Sequence, residues 1–316
     1  MKGWTETRDV LNRLACLGSH EPAALAVLIA TEGSSYRRPG ARMLVLANGE
    51  RTGAIGGGCL DEDVALHARE AMRTGESRLL RYDTSGESDA FGVALGCGGI
   101  VEILVEPLGD DARSVLRQAL NEMRGGREII LTHSLPRASS IAPFGPYWAE
   151  TLRPSPVLLV FGAGADADAL VRLAASVGFR VTLIDHRAAL LSAERFGPSV
   201  GLEARRPEDE LPAFDGVTEV YALVQTHSYE LDRSWVEQLI EAQIAYVGVL
   251  GPKRRTSAIL AELPGDRSNV YAPVGLDIGA EGPEQIAVSV VAELLAVRAG
   301  RTPGHLRDRR TAVHAG

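Results

Sequence analysis

Cysteine is scarce in this chain and nowhere paired. The 316 residues contain three, Cys16, Cys59 and Cys97. They are too few and too scattered for a disulfide scaffold, and no Cys-x-x-Cys spacing points to zinc. Long hydrophobic runs are missing too, so no membrane span is expected. Excess positive charge is absent: the formal net charge is −8, whereas a general nucleic-acid or membrane-surface binder requires a basic field. Neither an internal repeat nor a low-complexity tract occurs. The opening "MKGWTETRDVLNRLACLG" sets acids and arginines into an amphipathic pattern, unlike a secretory signal. These absences leave a cytoplasmic protein with no nucleic-acid or membrane partner as the expectation.

What is present is globular. Hydrophobic residues make up 45% and charged residues 23%, as in an ordinary folded protein, and the length suits two domains. Cys16 falls in the helical apolar pattern of Val10, Leu11, Leu14 and Leu17 and reads as a core filler. The other two cysteines each sit in glycine, in "GAIGGGCLDEDV" (53–64) and "GCGG". Glycines in a row cost backbone entropy, so they mark a tight bend or a close approach. Either a turn needs them here, or a ligand does.

The first half reads as a small α+β domain over 1–110. A helical pattern over 5–18 precedes the apolar run "AALAVLIAT", suited to a buried strand. "RMLVLANGERTGAIGG" reads as a hairpin turning at Asn48-Gly49. A helix over 60–74 follows, then strands at "SRLLRYDT" and "GGIVEILVEPL" separated by a turn-rich loop. Residues 111–155, with a helix over 112–124, the strand "REIILTHSL" and a proline-rich stretch, are expected to connect the halves.

Residues 156–300 read as a Rossmann-like parallel sheet, giving an α/β fold class for the whole chain, with 301–316 a basic tail. "PVLLVFGAGADADALVRLAASVGFRVTLIDHR" runs strand, glycine turn, helix, strand. Gly162, Gly164 and Ala167 form G-x-G-x-x-A, and Asp185 ends the next strand about twenty residues on, the dinucleotide fingerprint in its required setting. Gly162 permits the turn, Gly164 admits a pyrophosphate, and Ala167 packs helix on sheet. Asp185 is placed to accept from an adenine-ribose. His186 and Arg187 either clash with an adenosine or clamp it. The fold alone leaves the ligand open, whether NAD(P), another nucleotide or a pterin. His227 follows a later strand and Gly251-Pro252-Lys253 another, so both are expected at the same crevice.

Taken together, "GSSYRRPGARMLV", "GAIGGGCLD", "GCGGIVEILVEP", "FGAGADADAL", "VTLIDHR", "QTHSYELD", "YVGVLGPKRR" and "APVGLDIGAEGPEQIAVSVVAEL" resemble the XdhC/CoxI family. These are accessory proteins for molybdenum hydroxylases such as xanthine dehydrogenase, and the matching stretches run from about residue 31 to 297 in family order. The resemblance implies a cytoplasmic, dimeric maturation chaperone without turnover of its own. Such a protein binds molybdenum cofactor, guards it while a cysteine desulfurase installs the sulfido ligand, and delivers it to the apoenzyme. This chain departs from the family in Asp61, where Glu is common, in Pro252, where Ser is common, and in a short segment between the halves.

That cofactor is an anionic pterin phosphate carrying a dithiolene-held metal, and the residues are read against it. Arg38 and Arg42 are candidates for forked contacts to phosphate, with Ser34 and Ser35 adding hydroxyl donors. Backbone N–H groups of Gly56, Gly57 and Gly58 are candidates for an anion-binding concavity. Cys59 and Cys97 are candidate soft ligands or sulfur carriers. The plain alternatives stand beside these: buried inert thiols, solvated arginines, and a His227 that makes a local hydrogen bond rather than ligating metal. Asp277 and Glu281 either serve a ligand or cap the last helix. Two other functions compete, an NAD(P)-dependent oxidoreductase, for which only His227 and Lys253 offer acid–base groups, and a sulfurtransferase using Cys59 or Cys97.

Overall fold

Strand β1 (Ala23–Gly33) is buried on both faces through Ile29, and the reason is a layer of helices on each side of its sheet. The computed structural model describes residues 4–18, 20–33, 35–83, 99–134, 147–212, 214, 217 and 219–308. It divides into two units, Met1–Pro154 and Ser155–Gly316.

The first unit opens with α1 (Trp4–Ala15) and β1, followed by β2 (Arg42–Leu46), β3 (Arg51–Gly53), α2 (Cys59–Thr74), β4 (Arg78–Asp83) and β5 (Gly99–Pro107). α3 (Asp110–Arg124), β6 (Ile129–Ser134) and β7 (Tyr147–Leu152) complete it. The five strands β1 to β5 form an antiparallel sheet in the order β3-β2-β1-β5-β4. α2 covers one face, setting Val64, Ala65, Ala68 and Ala71 on Ala24, Ala26, Met43 and Ile103. α1 and α3 cover the other, where Leu11, Leu14, Leu116 and Leu120 meet Leu25, Val27, Leu44 and Leu104. The expected hairpin forms, with Asn48 Oδ1 accepting from the Glu50 amide at 2.9 Å.

Two expectations change here. Cys16 is exposed rather than a core filler, because α1 stops at Ala15 and the next residue leaves the buried face. The stretch 111–155 is more than a connector. α3 joins the first core, and β6 pairs with β7 from Ile129↔Leu152 to Ser134↔Tyr147. β7 is not marked in the sequence, because an inward carboxylate, Glu150, breaks its apolar alternation.

The second unit contains β8 (Val157–Phe161), α4 (Ala167–Ser176), β9 (Arg180–Ile184), α5 (Ala193–Phe196), β10 (Gly201–Glu203) and β11 (Val220–Val224). α6 (Tyr229–Glu241), β12 (Tyr246–Val249), α7 (Lys253–Glu262), β13 (Val270–Tyr271) and α8 (Gly282–Arg298) follow. Its six strands are parallel in the order β10-β9-β8-β11-β12-β13. α4 and α8 pack on one face and α6 and α7 on the other, so β8, β11 and β12 are buried throughout. This is the expected doubly wound, Rossmann-like sheet. Strand order reverses between β8 and β11, and ligands of such sheets bind outside the carboxyl ends at that reversal.

Candidate functional site

The glycine loop of the first unit carries its own anion. Past Gly53, the Ala54 amide donates to Glu6 Oε1 at 2.7 Å, and Glu6 also pairs with Arg37. The amides of Ile55 and Gly56 both donate to Asp61 Oδ1 at 2.8 Å, and that of Gly58 to Asp61 Oδ2 at 3.4 Å. Gly56 and Gly58, expected to offer amides to a ligand, therefore offer them to Asp61, three residues into the helix cap. A reach-back acid at this spacing is a legible helix-start signal. The glycines differ in purpose. A Cβ on Gly56 would lie 2.9 Å from the Leu60 side chain, whereas one on Gly57 or Gly58 would meet none of the described residues within 4 Å. Gly58 adopts φ 83° and hands the chain to Cys59, the first residue of α2. Cys97 and Ser34 lie outside the described residues. Ser35 and Arg38 are half-buried in the loop after β1.

Arg42 is not at a surface that could receive a phosphate. Its side chain is 1% exposed, and Nη2 reaches both oxygens of Glu150 at 2.8 and 2.7 Å. It also donates to the Gly40 carbonyl at 3.2 Å. The cause is register: Arg42 shares a strand face with Leu44 and Leu46, which point into the core. His133 completes the cluster, with Nδ1 2.6 Å from Glu106 and Nε2 3.4 Å from Glu150. Burial opposes charge on this imidazole, but hydrogen bonds to the two carboxylates prevail and raise its pKa to about 9. Burial likewise opposes ionisation of Glu150, and His133 and Arg42 outweigh it, so its pKa falls. β2, β5, β6 and β7 are tied together by this cluster.

In the second unit the glycine turn is held from behind. Gly162 has φ 116°, and a Cβ there would come 2.5 Å from the Gln225 carbonyl oxygen. Ala167 is fully buried at the start of α4. Asp185, expected to receive a ribose, is 4% exposed and already occupied. Its Oδ2 accepts from the Ala163 amide at 2.7 Å and from Arg187 Nη2 at 2.8 Å. Oδ1 accepts from the Arg187 amide at 2.8 Å and Nε at 3.0 Å. Burial disfavours the charged form, yet these bonds prevail and hold the carboxyl at about 2. Arg187 thus clamps the acid itself. Arg195 ties the turn from another side, donating to the carbonyls of Ala163 at 3.0 Å and Gly164 at 2.7 Å.

His227 stands at the reversal point, after β11. It adopts φ 63°, uncommon outside glycine. The neighbouring Thr226 is fixed by Asp232, which is 0% exposed and accepts from the Thr226 amide at 3.0 Å and hydroxyl at 2.6 Å. The imidazole lies over Gly164, where an added Cβ would sit 3.5 Å from Cδ2 and Nε2. Nε2 is 3.5 Å from Asp166 Oδ2. Among the described residues no three His, Cys, Asp or Glu side chains stand together as a metal site, so His227 gains no co-ligands there. Asp166 was missed in the sequence because the fingerprint leaves its position unspecified. Pro252 caps α7, and Asp277 lines a groove beside it.

Comparison with known proteins places these features in a family. Residues 16–83 match the XdhC and CoxI family, and residues 158–294 match the XdhC Rossmann domain. The chain is 32% identical to a Bacillus subtilis protein described as a probable xanthine dehydrogenase subunit, covering 90% of this chain and 96% of that protein. It is 26% identical to the molybdenum cofactor insertion chaperone PaoD of Escherichia coli, covering 89% and 85%. A crystal structure described as a xanthine dehydrogenase from Bacillus halodurans superposes with a TM-score of 0.83 at 29% identity, covering 96% and 97%. Similarity along both units, including the glycine loop and the doubly wound sheet, shows that this chain belongs to the XdhC and CoxI family.

Proposed function

We propose that this chain is a molybdenum cofactor chaperone that takes the cofactor as cargo at the loop of residues 53–59 and passes it to a molybdenum hydroxylase apoenzyme. The observation carrying the reading is that, among the described residues, nothing covers Gly57 and Gly58 at the start of α2, with Cys59 opening that helix. Similarity to PaoD supplies the nature of the cargo. Because Asp61 already satisfies the inner amides, the loop keeps its shape when empty and a ligand pays no ordering cost there. Asp61 and Glu62 already set negative charge in the first turn of α2, so the cofactor's phosphate needs a cation beside it there. Arg38, half-buried in the loop after β1, is the arginine candidate for that phosphate. Cys59 supplies a soft donor of the kind molybdenum accepts.

Support for sulfuration by a cysteine desulfurase, delivery in the cytoplasm and homodimerisation belongs to the same reading and rests on the family resemblance. α8 offers one face for a second copy: Val288 is 50% and Leu295 39% exposed. An NAD(P)-dependent oxidoreductase is not favoured, since Asp185 is committed to Arg187 and Ala163. A sulfur-carrier role for Cys59 and Cys97 remains compatible with cofactor binding.

The test is anaerobic equilibrium binding of isolated molybdenum cofactor to wild type, Cys59→Ala and the Cys59→Ala/Cys97→Ala pair. Binding that weakens at least tenfold on losing Cys59 supports direct ligation. Binding that survives both substitutions while sulfuration is lost assigns the thiols to sulfur transfer. No binding by wild type ends the chaperone reading.

A further inference from the structure

Glu6 lies in the first turn of α1, where an acid is ordinarily read as a partner of the helix dipole. Its surroundings give it a more particular task. Val10 stands four residues on, along the same face of the helix, and is fully buried. Its side chain packs against the end of β3, where a Cβ on Gly53 would lie 2.9 Å from Val10 Cγ2. α1 is thus an arm seated through Val10, Leu11 and Leu14. It holds Glu6 at the point where the chain leaves β3 for the glycine loop.

Each oxygen of that carboxylate takes a different loop. Oε1 accepts from the Ala54 amide at 2.7 Å, at the entry to the glycine loop. Oε2 accepts from Arg37 Nη2, in the loop after β1. Only 25% of the Arg37 side chain and 21% of the Glu6 side chain is exposed, so salt screens this pair less than a surface one. Burial lowers the Arg37 pKa, and the Asp61 charge opposes the fall. Arg37 therefore answers to both acids that hold the glycine loop, Glu6 at its entry and Asp61 at its inner amides. On the other side of Arg37, the Ala41 amide donates to the Arg38 carbonyl at 3.0 Å, so a turn fixes the segment from that end.

An amide and an arginine are also what a phosphate takes, so Glu6 either keeps that place or yields it to a ligand. The geometry favours keeping it, because a displaced Glu6 would be left half-buried without its partners, which is costly. We propose that Glu6 is a positioning residue: through Arg37 it docks the loop after β1 onto the glycine loop, so that Arg38 and the backbone at Gly57 and Gly58 are already assembled when the anionic end of the cargo arrives. The inference rests on the reading above. It adds a residue that lies ahead of every stretch carrying the family resemblance.

The test measures anaerobic equilibrium binding of isolated molybdenum cofactor to the full-length protein, with amide hydrogen exchange of the empty protein alongside. Glu6→Gln keeps an acceptor for Ala54 and removes the charge that faces Arg37. Arg37→Met removes the cation and leaves Glu6 on Ala54. Each variant, under conditions where it is fully folded, is expected to bind about tenfold more weakly, since the ligand must then order the arginine loop. The double variant should lose no more than either single one, and Arg37→Lys, which keeps the cation, should recover most of the loss. Exchange should quicken together at residues 35–38 and 54–58 in Glu6→Gln. A Glu6 that only stabilises the fold would lower the urea midpoint and leave the affinity of the folded protein unchanged. Wild-type affinity in Glu6→Gln, tighter binding, or additive losses each overturns the proposal, and tighter binding assigns the Ala54 amide and Arg37 to the ligand instead. A wild type that ignores the cofactor ends the chaperone reading; the docking then stands if both loops quicken together in Glu6→Gln and falls if only one does.

Discussion

Asp61 Oδ1 accepts from the Gly56 amide at 2.8 Å, so the glycine loop of this family member is built around an internal carboxylate. Its backbone curvature does not wait for a ligand. Asp61→Ala leaves the half-buried amides of Ile55 and Gly56 without acceptors. A loss of about 1–2 kcal/mol is expected from the lost cap and unpaired donors, read as a shift in urea midpoint. Cofactor binding should weaken with it. An unchanged midpoint would mean that water replaces the carboxylate.

Arg42→Met removes the closer of the two cations that face the buried Glu150 carboxylate, leaving His133 Nε2 at 3.4 Å. Breaking a buried pair in this way costs about 3–5 kcal/mol. The Arg42→Met/Glu150→Leu pair is expected to recover part of that loss. Hydrogen exchange should locate the damage in β6 and β7, the strands tied on by Glu150 and His133. Damage confined to the glycine loop would contradict the assignment of Arg42 to the core.

His133 gives stability a pH dependence with a definite sign. Its folded pKa is raised from 6.5 to about 9, so the folded state holds the proton more tightly than the unfolded chain. The contribution is complete below about pH 6.5 and is lost as pH rises through about 9. Denaturant midpoints measured from pH 6 to 10 should fall in that window for wild type. The slope should flatten in His133→Gln.

Gly162→Ala and Gly164→Ala separate fold from ligand access. At Gly162 the backbone has φ 116° and a Cβ would lie 2.5 Å from the Gln225 oxygen. A loss of about 2–5 kcal/mol is expected from strain and overpacking. At Gly164 the nearest neighbour is the His227 ring at 3.5 Å, an ordinary contact, so the change should stay within about 1 kcal/mol. Thermal melts of the two variants decide it. Equal melting temperatures would show that the turn relaxes around either methyl.

Much of the fold was legible from local spacing. Val157–Phe161, the glycine turn, α4 and Arg180–Ile184 follow one another within a single βαβ unit, and each is marked by its own period. β7 was hidden because the charge of Glu150 mimics a surface residue until Arg42 is placed beside it, 108 residues away in the chain. The exposure of Cys16 was hidden too, since the helical pattern continues through Leu17 while the helix itself ends at Ala15.

The sequence by itself determined most of the first unit's elements, the doubly wound second unit and the family, because periodicity, turn glycines and motif order depend on neighbours along the chain. Tertiary structure alone decided which charged groups remain for a ligand. Arg42 and Asp185 carry the residue types of a phosphate or ribose contact, yet the packed fold brings Glu150 to one and turns the Arg187 fork onto the other. A buried charge is costly unless paired, and the pairing exists only once distant strands have met and the side chains around them have settled.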